Sequence, residues 1–211
     1  MVVGSGSKET GVWRCRAVLE GHLGAVYDLS SSDRDTLWSV GGDGCLVRWT
    51  RLDGVWNPQG MAMAKADEAL FCVRVMPGGE VLAGGASGGL IAWTQAGVEI
   101  LGGHPGGTFV VTDQWSAGAD GHLRRWQTGE SVGAFPGRIR CVLDTRIGTC
   151  LGLHDGHMAR VGSESLQPLH DGSLRAMMPW PGKEALGTAG ADGRIRIWEE
   201  AGDTLRDVVS I

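Results

Sequence analysis

Residues 192–198 read DGRIRIW, and this seven-residue frame recurs along the chain. It stands as DGCLVRW at Asp43–Trp49, SGGLIAW at Ser87–Trp93, DGHLRRW at Asp120–Trp126 and DGHMARV at Asp155–Val161. The final positions lie 44, 33, 35 and 37 residues apart, a period in the range of repeat architectures. A short apolar strand precedes each frame: LWSVGG, VLAGGA, QWSAGA, TCLGLH and LGTAGA. The Gly at each junction supplies the positive φ that a tight hairpin demands. Upstream of each pair lies another alternating strand: AVYDLS, LFCVRVM, TFVV, IRCVLDT or LRAMMP. Shorter candidates, VEIL, SVGAF and SLQPL, fall between the units.

Four short strands per unit, no convincing helix and this period describe an all-β fold, a β-propeller of four-stranded antiparallel blades. A single small twisted sheet cannot bury both of its faces, whereas blades stacked around an axis bury one another. Five units predict five blades in one domain over residues 13–211, behind a flexible tail over residues 1–12. A closed five-bladed ring is the simplest arrangement, and the alternative is a partial ring completed by another chain. Two segments compete to be the closing outer strand, Trp13–Leu19 and Thr204–Ile211. Either one is a tail, or the spare strand pairs with a partner through self-association or strand exchange, because an unpaired edge is a pairing template.

Composition fits this reading. The chain has 211 residues, 42% of them hydrophobic, with 36 Gly and nine Trp against three Phe and one Tyr. That hydrophobic share is enough for a core, so the glycines belong to turns rather than to disorder. The net charge of −5, with Lys only at Lys8, Lys65 and Lys183, argues against a nucleic-acid partner held by bulk attraction. No apolar run reaches the length of a membrane-spanning helix, and the first residues lack the basic and apolar regions of a signal peptide. Five scattered cysteines without a CxxC pair read as reduced thiols, which predicts a cytoplasmic protein.

From Trp13 to the C-terminus the chain resembles the WD-repeat family. The family pattern runs from Gly-His through an apolar strand to Ser or Thr, a turn Asp and a terminal Trp. Three repeats carry it as His22–Ser39–Asp43–Trp49, His104–Ser116–Asp120–Trp126 and His170–Thr188–Asp192–Trp198, with Leu169 in place of Gly in the last dipeptide. The resemblance implies that these side chains form a buried hydrogen-bond chain from His to the indole N–H. The second repeat has Ala66, Ala83 and Ser87 at the His, Ser and Asp positions and keeps Trp93. The fourth keeps Asp155 and has Phe135, Leu151 and Val161. Losing the set together strands no polar group. Most members of the family close with seven blades, so five visible repeats leave ring closure as the main structural question.

Motifs with chemistry are few. Gly85–Gly89 matches GxSxG, but a nucleophile elbow needs a strand-to-helix turn, and Ser87 falls on a strand-to-strand turn. Gly4–Lys8 lacks phosphate-loop spacing. His154 and His157 flank a turn without a third metal-ligand type. Trp38 and Trp115 occupy the same place in their repeats, which favours packing between blades. No cofactor and no metal are expected, and no catalytic residue is assigned.

The resemblance also implies where partners bind: the residues three and five after the His position and the one before the turn Asp. Among these, Tyr27, Phe71 and Phe109 form an aromatic half, and Arg138, Arg140, His154 and Arg175 a basic half. Aromatic rings supply anchor area and Arg supplies bidentate contacts to carboxylates. The expected function is a non-catalytic protein–protein interaction scaffold or complex subunit that takes an acidic, apolar segment. A propeller hydrolase of the esterase kind and a sugar-binding propeller are the alternatives. Candidate residues that differ from blade to blade favour a protein partner over a repeated sugar site.

Overall fold

In the computed structural model, residues 15–146, 148–179, 185–201 and 204–210 are described, and these form five antiparallel sheets and no helix. The expected tail over residues 1–12 lies outside them. Blade 1 comprises β1 (Val26–Ser30), β2 (Thr36–Gly41) and β3 (Cys45–Leu52), with β4 (Val55–Trp56) folded back on the end of β3 and β5 (Met61–Lys65) as outer strand. Blade 2 comprises β6 (Leu70–Val75), β7 (Val81–Gly85), β8 (Leu90–Thr94) and β9 (Gly97–Leu101). Blade 3 comprises β10 (Thr108–Val111), β11 (Trp115–Gly118), β12 (His122–Arg125) and β13 (Ser131–Ala134). Blade 4 comprises β14 (Ile139–Thr145), β15 (Gly148–Leu153), β16 (His157–Arg160) and β17 (Leu166–Pro168). Blade 5 comprises β18 (Leu174–Pro179), β19 (Ala185–Gly190), β20 (Ile195–Ala201) and β21 (Thr204–Ser210).

The recurring frame is a hairpin turn. Its glycines, Gly44, Gly88, Gly121, Gly156 and Gly193, all have positive φ, at 73°, 111°, 71°, 92° and 76°. In four blades the frame Asp accepts an N–H from two residues ahead: Cys45 on Asp43 and His122 on Asp120 at 3.1 Å, His157 on Asp155 and Arg194 on Asp192 at 3.2 Å. Such Asx turns stabilise the bend locally. The long first interval has its own cause: β3 continues into a second hairpin with β4, turned at Asp53 and Gly54 (φ 50° and 81°).

Successive blades meet face to face in four seams, each with its own apolar cluster. Trp38, Val40 and Leu46 of blade 1 pack on Leu70, Val73 and Val81 of blade 2. Leu82 and Leu90 of blade 2 share a cluster with Val111 of blade 3. Ala117 and Leu123 of blade 3 meet Ile139 and Leu151 of blade 4. Cys150 and Met158 of blade 4 meet Leu174, Leu186 and Trp198 of blade 5. Each full burial of a Leu, Ile or Val contributes about 1.5–3 kcal/mol, so the seams carry most of the stability.

Among the described residues, no such cluster and no comparable strand packing joins blade 5 back to blade 1. The five-bladed expectation holds as five sheets, but in an open arc rather than the closed ring. The rivalry for the closing strand also resolves. Thr204–Ser210 pairs along β20 as the outer strand of blade 5. Cys15–Leu19 lies in no strand, Glu20 makes one bridge to Gln59, and Trp13, Arg14 and Ile211 lie outside the described residues.

The frame turns explain a difference in tolerance. A Cβ on Gly44 would overlap the carbonyl oxygens of Ala66 and Glu68, whereas nothing stands within 4 Å of one on Gly193. Gly193→Ala is expected to lose about 1–2 kcal/mol for left-handed backbone alone, and Gly44→Ala more than that. Urea unfolding of the two variants beside the wild type measures the difference.

Candidate partner-binding site

Every inner strand carries a bulge at the same place. The register shifts between Val26 and Asp28, Leu70 and Cys72, Thr108 and Val110, Ile139 and Cys141, and Leu174 and Ala176. A bulged residue leaves the ladder, and its side chain is re-aimed. The five residues at these bulges are Tyr27, Phe71, Phe109, Arg140 and Arg175, and together they line one cavity of about 360 Å³. Five residues far apart in sequence thus converge because one backbone irregularity repeats in every blade.

Inside the cavity the aromatic half is continuous. Tyr27 and Phe71 meet edge to face at 5.6 Å between centroids, and Phe71 and Phe109 are also 5.6 Å apart, tilted. The Arg140 guanidinium sits 4.4 Å over the Phe109 ring, joining the basic half to the aromatic one through a cation–π contact. Burial, then the like charges of Arg175 and Arg138, pull Arg140 below its ordinary pKa. An Arg stays protonated regardless, so the result is positive charge held close together. Among the described residues no carboxylate pairs with Arg138, Arg140 or Arg175. Arg138 and His154 are exposed and stand outside the cavity lining; the His154 N–H donates to the Arg138 carbonyl at 2.9 Å.

The expected structural chains differ from blade to blade. In blade 1 His22 Nδ1 lies 2.9 Å from Asp43, His22 Nε2 is 2.7 Å from Ser39 Oγ, and the Trp49 indole donates to Ser39 Oγ at 2.8 Å. The carboxylate only accepts. His22 therefore carries its proton on Nδ1, and the Ser39 hydroxyl donates to Nε2. Blade 5 has the same spacings, with His170 to Asp192, His170 to Thr188 and Trp198 to Thr188 at 2.9, 2.7 and 2.8 Å, and there Arg196 also lies 2.8 Å from His170 Nδ1. Arg196 adds an ion pair to Asp192 at 2.9 Å.

Blade 3 departs from the expected chain. His104 reaches Asp120 at 2.8 Å and Ser116 at 3.0 Å, but the Trp126 indole donates to the Asp113 carbonyl at 3.1 Å. The reason is strand length. β12 stops at Arg125, whose N–H turns to the Glu130 carbonyl, so Trp126 falls in the turn. Trp49 and Trp198 are paired inside their strands.

The degenerate repeats substitute other packing. In blade 4, Leu151, Phe135 and Val161 fall in one apolar cluster. In blade 2, Trp93 packs tilted against Trp38 at 5.1 Å between ring centroids, and the Ser87 N–H donates to the Glu68 carboxylate. Glu68 thus ties the turn from the opposite side. Sequence reading missed it, because the family pattern places the acid on the turn itself; the Ser at position 87 was the only hint. Ser87 stands exposed on a turn between strands β7 and β8. His157 pairs with Asp155 at 3.2 Å. Trp38 and Trp115 are buried at seams, and the Trp115 indole reaches Asp144 of the next blade at 3.3 Å. Cys72 and Cys141 thiols are pushed up to about 12 by burial, which makes them unreactive.

Two outcomes follow for the blade 1 chain. Burial works against charge on Asp43, but bonds from His22 and the Cys45 and Leu23 N–H groups outweigh it and hold the carboxyl down at about 2, below its ordinary 3.8. A depressed carboxyl stabilises the fold above its unfolded value and ceases to do so as pH falls through the folded one. Asp43→Ala is therefore expected to be less stable than wild type at pH 5 and above, with the gap closing as pH falls from about 4 to 2; chemical unfolding across that range reads it. Trp49→Phe removes a buried bond and is expected to cost about 1–2 kcal/mol, whereas Trp126→Phe removes an exposed one and costs less; thermal melts compare them.

The pattern of a WD domain, G-beta repeat matches residues 13–50, which include β1, β2 and most of β3. No curated protein matches the chain. Among solved structures, the WD40 β-propeller domain of Doa1 is similar at 16% identity and TM-score 0.55, over 92% of this chain and 84% of that one. The computationally designed Ika8 protein is similar at 20% identity and TM-score 0.64, over 90% of this chain and 64% of that one. At such identities the likeness speaks to the fold alone. The shared architectures show the β-propeller fold, and the family match places one WD-type repeat in it at residues 13–50, whose hydrogen-bonded turn recurs in blade 5.

Proposed function

We propose that this propeller is a non-catalytic interaction module, a scaffold or complex subunit, that docks an acidic, apolar protein segment at the five bulge residues. The observation that carries the reading is the cavity itself. In it three touching aromatic rings adjoin Arg140 and Arg175, with Arg138 outside the lining adding like charge, and none of these arginines has a carboxylate partner among the described residues. A segment carrying Asp or Glu beside an apolar side chain would relieve the crowded positive charge and cover the rings, Arg giving forked hydrogen bonds to the carboxylates. Rings and Arg in a concave site are the composition of binding hot spots. The net charge of −5 makes the local basic cluster a means of choosing partners rather than of general adhesion to nucleic acid. Five scattered cysteines without a CxxC pair accord with a cytoplasmic setting, which completes the proposal.

A displayed peptide library panned on the wild type should return sequences enriched in Asp or Glu next to apolar residues. Binding of those peptides should weaken at least about tenfold in the Arg138→Ala/Arg140→Ala/Arg175→Ala variant, and about as much in Phe71→Ala. It should also fall with added salt. Retained affinity in both variants would falsify the site.

A further inference from the structure

The two ends of the arc are the two halves of one seam. The leading face of a blade is the one turned to the blade before it, and the trailing face the one turned to the blade after. Strand register makes each position comparable across blades. Val26, opposite Gly41, corresponds to Leu70, Thr108, Ile139 and Leu174, each paired with the residue that corresponds to Gly41. Those four are at most 1% exposed, and Val26 is 50% exposed. Leu29 corresponds to Val73 and Val111, which are buried, and to Val142 and Met177, which are half-buried in their seams, and is itself 56% exposed.

The trailing end behaves in the same way. Ile195, opposite Ala189, corresponds to Leu46, Leu90, Leu123 and Met158. Those are at most 5% exposed, and Ile195 is 52% exposed. The backbone agrees with the side chains. The carbonyls of Gly44, Gly88, Gly121 and Gly156 each accept an N–H from the loop of the following blade: from Ala66, His104, Phe135 and His170. Among the described residues the Gly193 carbonyl accepts none from such a loop, and nothing stands within 4 Å of a Cβ at Gly193.

Each end is therefore patterned as a core surface and left uncovered, and the two are of opposite kind. In each interior seam a trailing face receives a leading face. This chain carries one of each. We infer that a second copy of the chain is the occupant, its blade 1 seated on the blade 5 trailing face of the first, as a continuation of the four interior seams. The contact is heterologous, so two copies either close on each other through two such seams or extend to further copies. None of the five bulge residues belongs to the face positions compared above, so this association is independent of the peptide site and survives in the triple Arg variant.

Light scattering on eluting protein at about 100 µM, where contacts of micromolar strength are filled, should give the wild type a mass of two chains or more. Leu29→Asp spoils only the leading half and Ile195→Asp only the trailing half. Both residues are exposed in the single chain, so both variants should keep the wild-type fold by circular dichroism and run as monomers. Mixed in equal amounts, the two variants restore one intact seam and should form a pair of one copy each. A monomeric wild type, variants that associate as well as the wild type, or a mixture that stays monomeric would each overturn the assignment. Loss of association in Leu29→Asp alone would point to a symmetric contact between leading faces and overturn it equally.

Discussion

A four-stranded sheet has two faces and too few residues to make a core from either one. Each blade here depends on its neighbours for that reason, and the seam between blades is the interaction on which the rest of the molecule rests. The seams set the strand composition: positions corresponding to Leu46 or Leu70 must be apolar because they end up between sheets. They also set the turns. The carbonyl of a frame glycine is held by the loop of the next blade, so a Cβ at Gly44 or Gly156 meets that loop and not solvent. The same constraint gives the ends of the arc their character, because a blade without a neighbour still carries the residues of a seam.

The polar chains from His to Trp are a second layer on this frame. In blades 1 and 5 an imidazole bridges a carboxylate and a hydroxyl, and the hydroxyl in turn accepts an indole N–H. In blade 3, burial keeps His104 below its usual pKa although Asp120 pulls the other way. Blade 4 reaches a comparable result with an apolar cluster, and blade 2 with a tilted pair of indoles and Glu68. A fully satisfied polar set and a fully apolar one are both acceptable in a buried seam; a half-satisfied set is not. This is why two repeats diverged at several positions together and still form blades of the same topology.

The candidate site shows where sequence reading succeeds and where it stops. Tyr27, Phe71, Phe109, Arg140 and Arg175 were legible as a set because each stands at a fixed offset within its repeat. That they share one cavity was not legible, because the bulges that turn them out of the ladder leave no mark in residue type. Arg138 and His154 satisfied a similar offset rule and fell beside the cavity, since they sit on the connecting turns and not in the bulges. Trp126 matched the pattern by position, yet a strand one residue too short gave its indole a different acceptor.

The sequence by itself determined the repeat, its turns and the number of blades, because alternating polarity and positive-φ glycines act over a few residues and depend on nothing distant. Tertiary structure alone decided whether the arc closes. Closure depends on how sheet twist and seam packing accumulate over five blades, a sum that no single strand encodes. The 36 glycines that stand out in the composition announce the turns; only the uncovered Val26, Leu29 and Ile195 reveal that the arc is open.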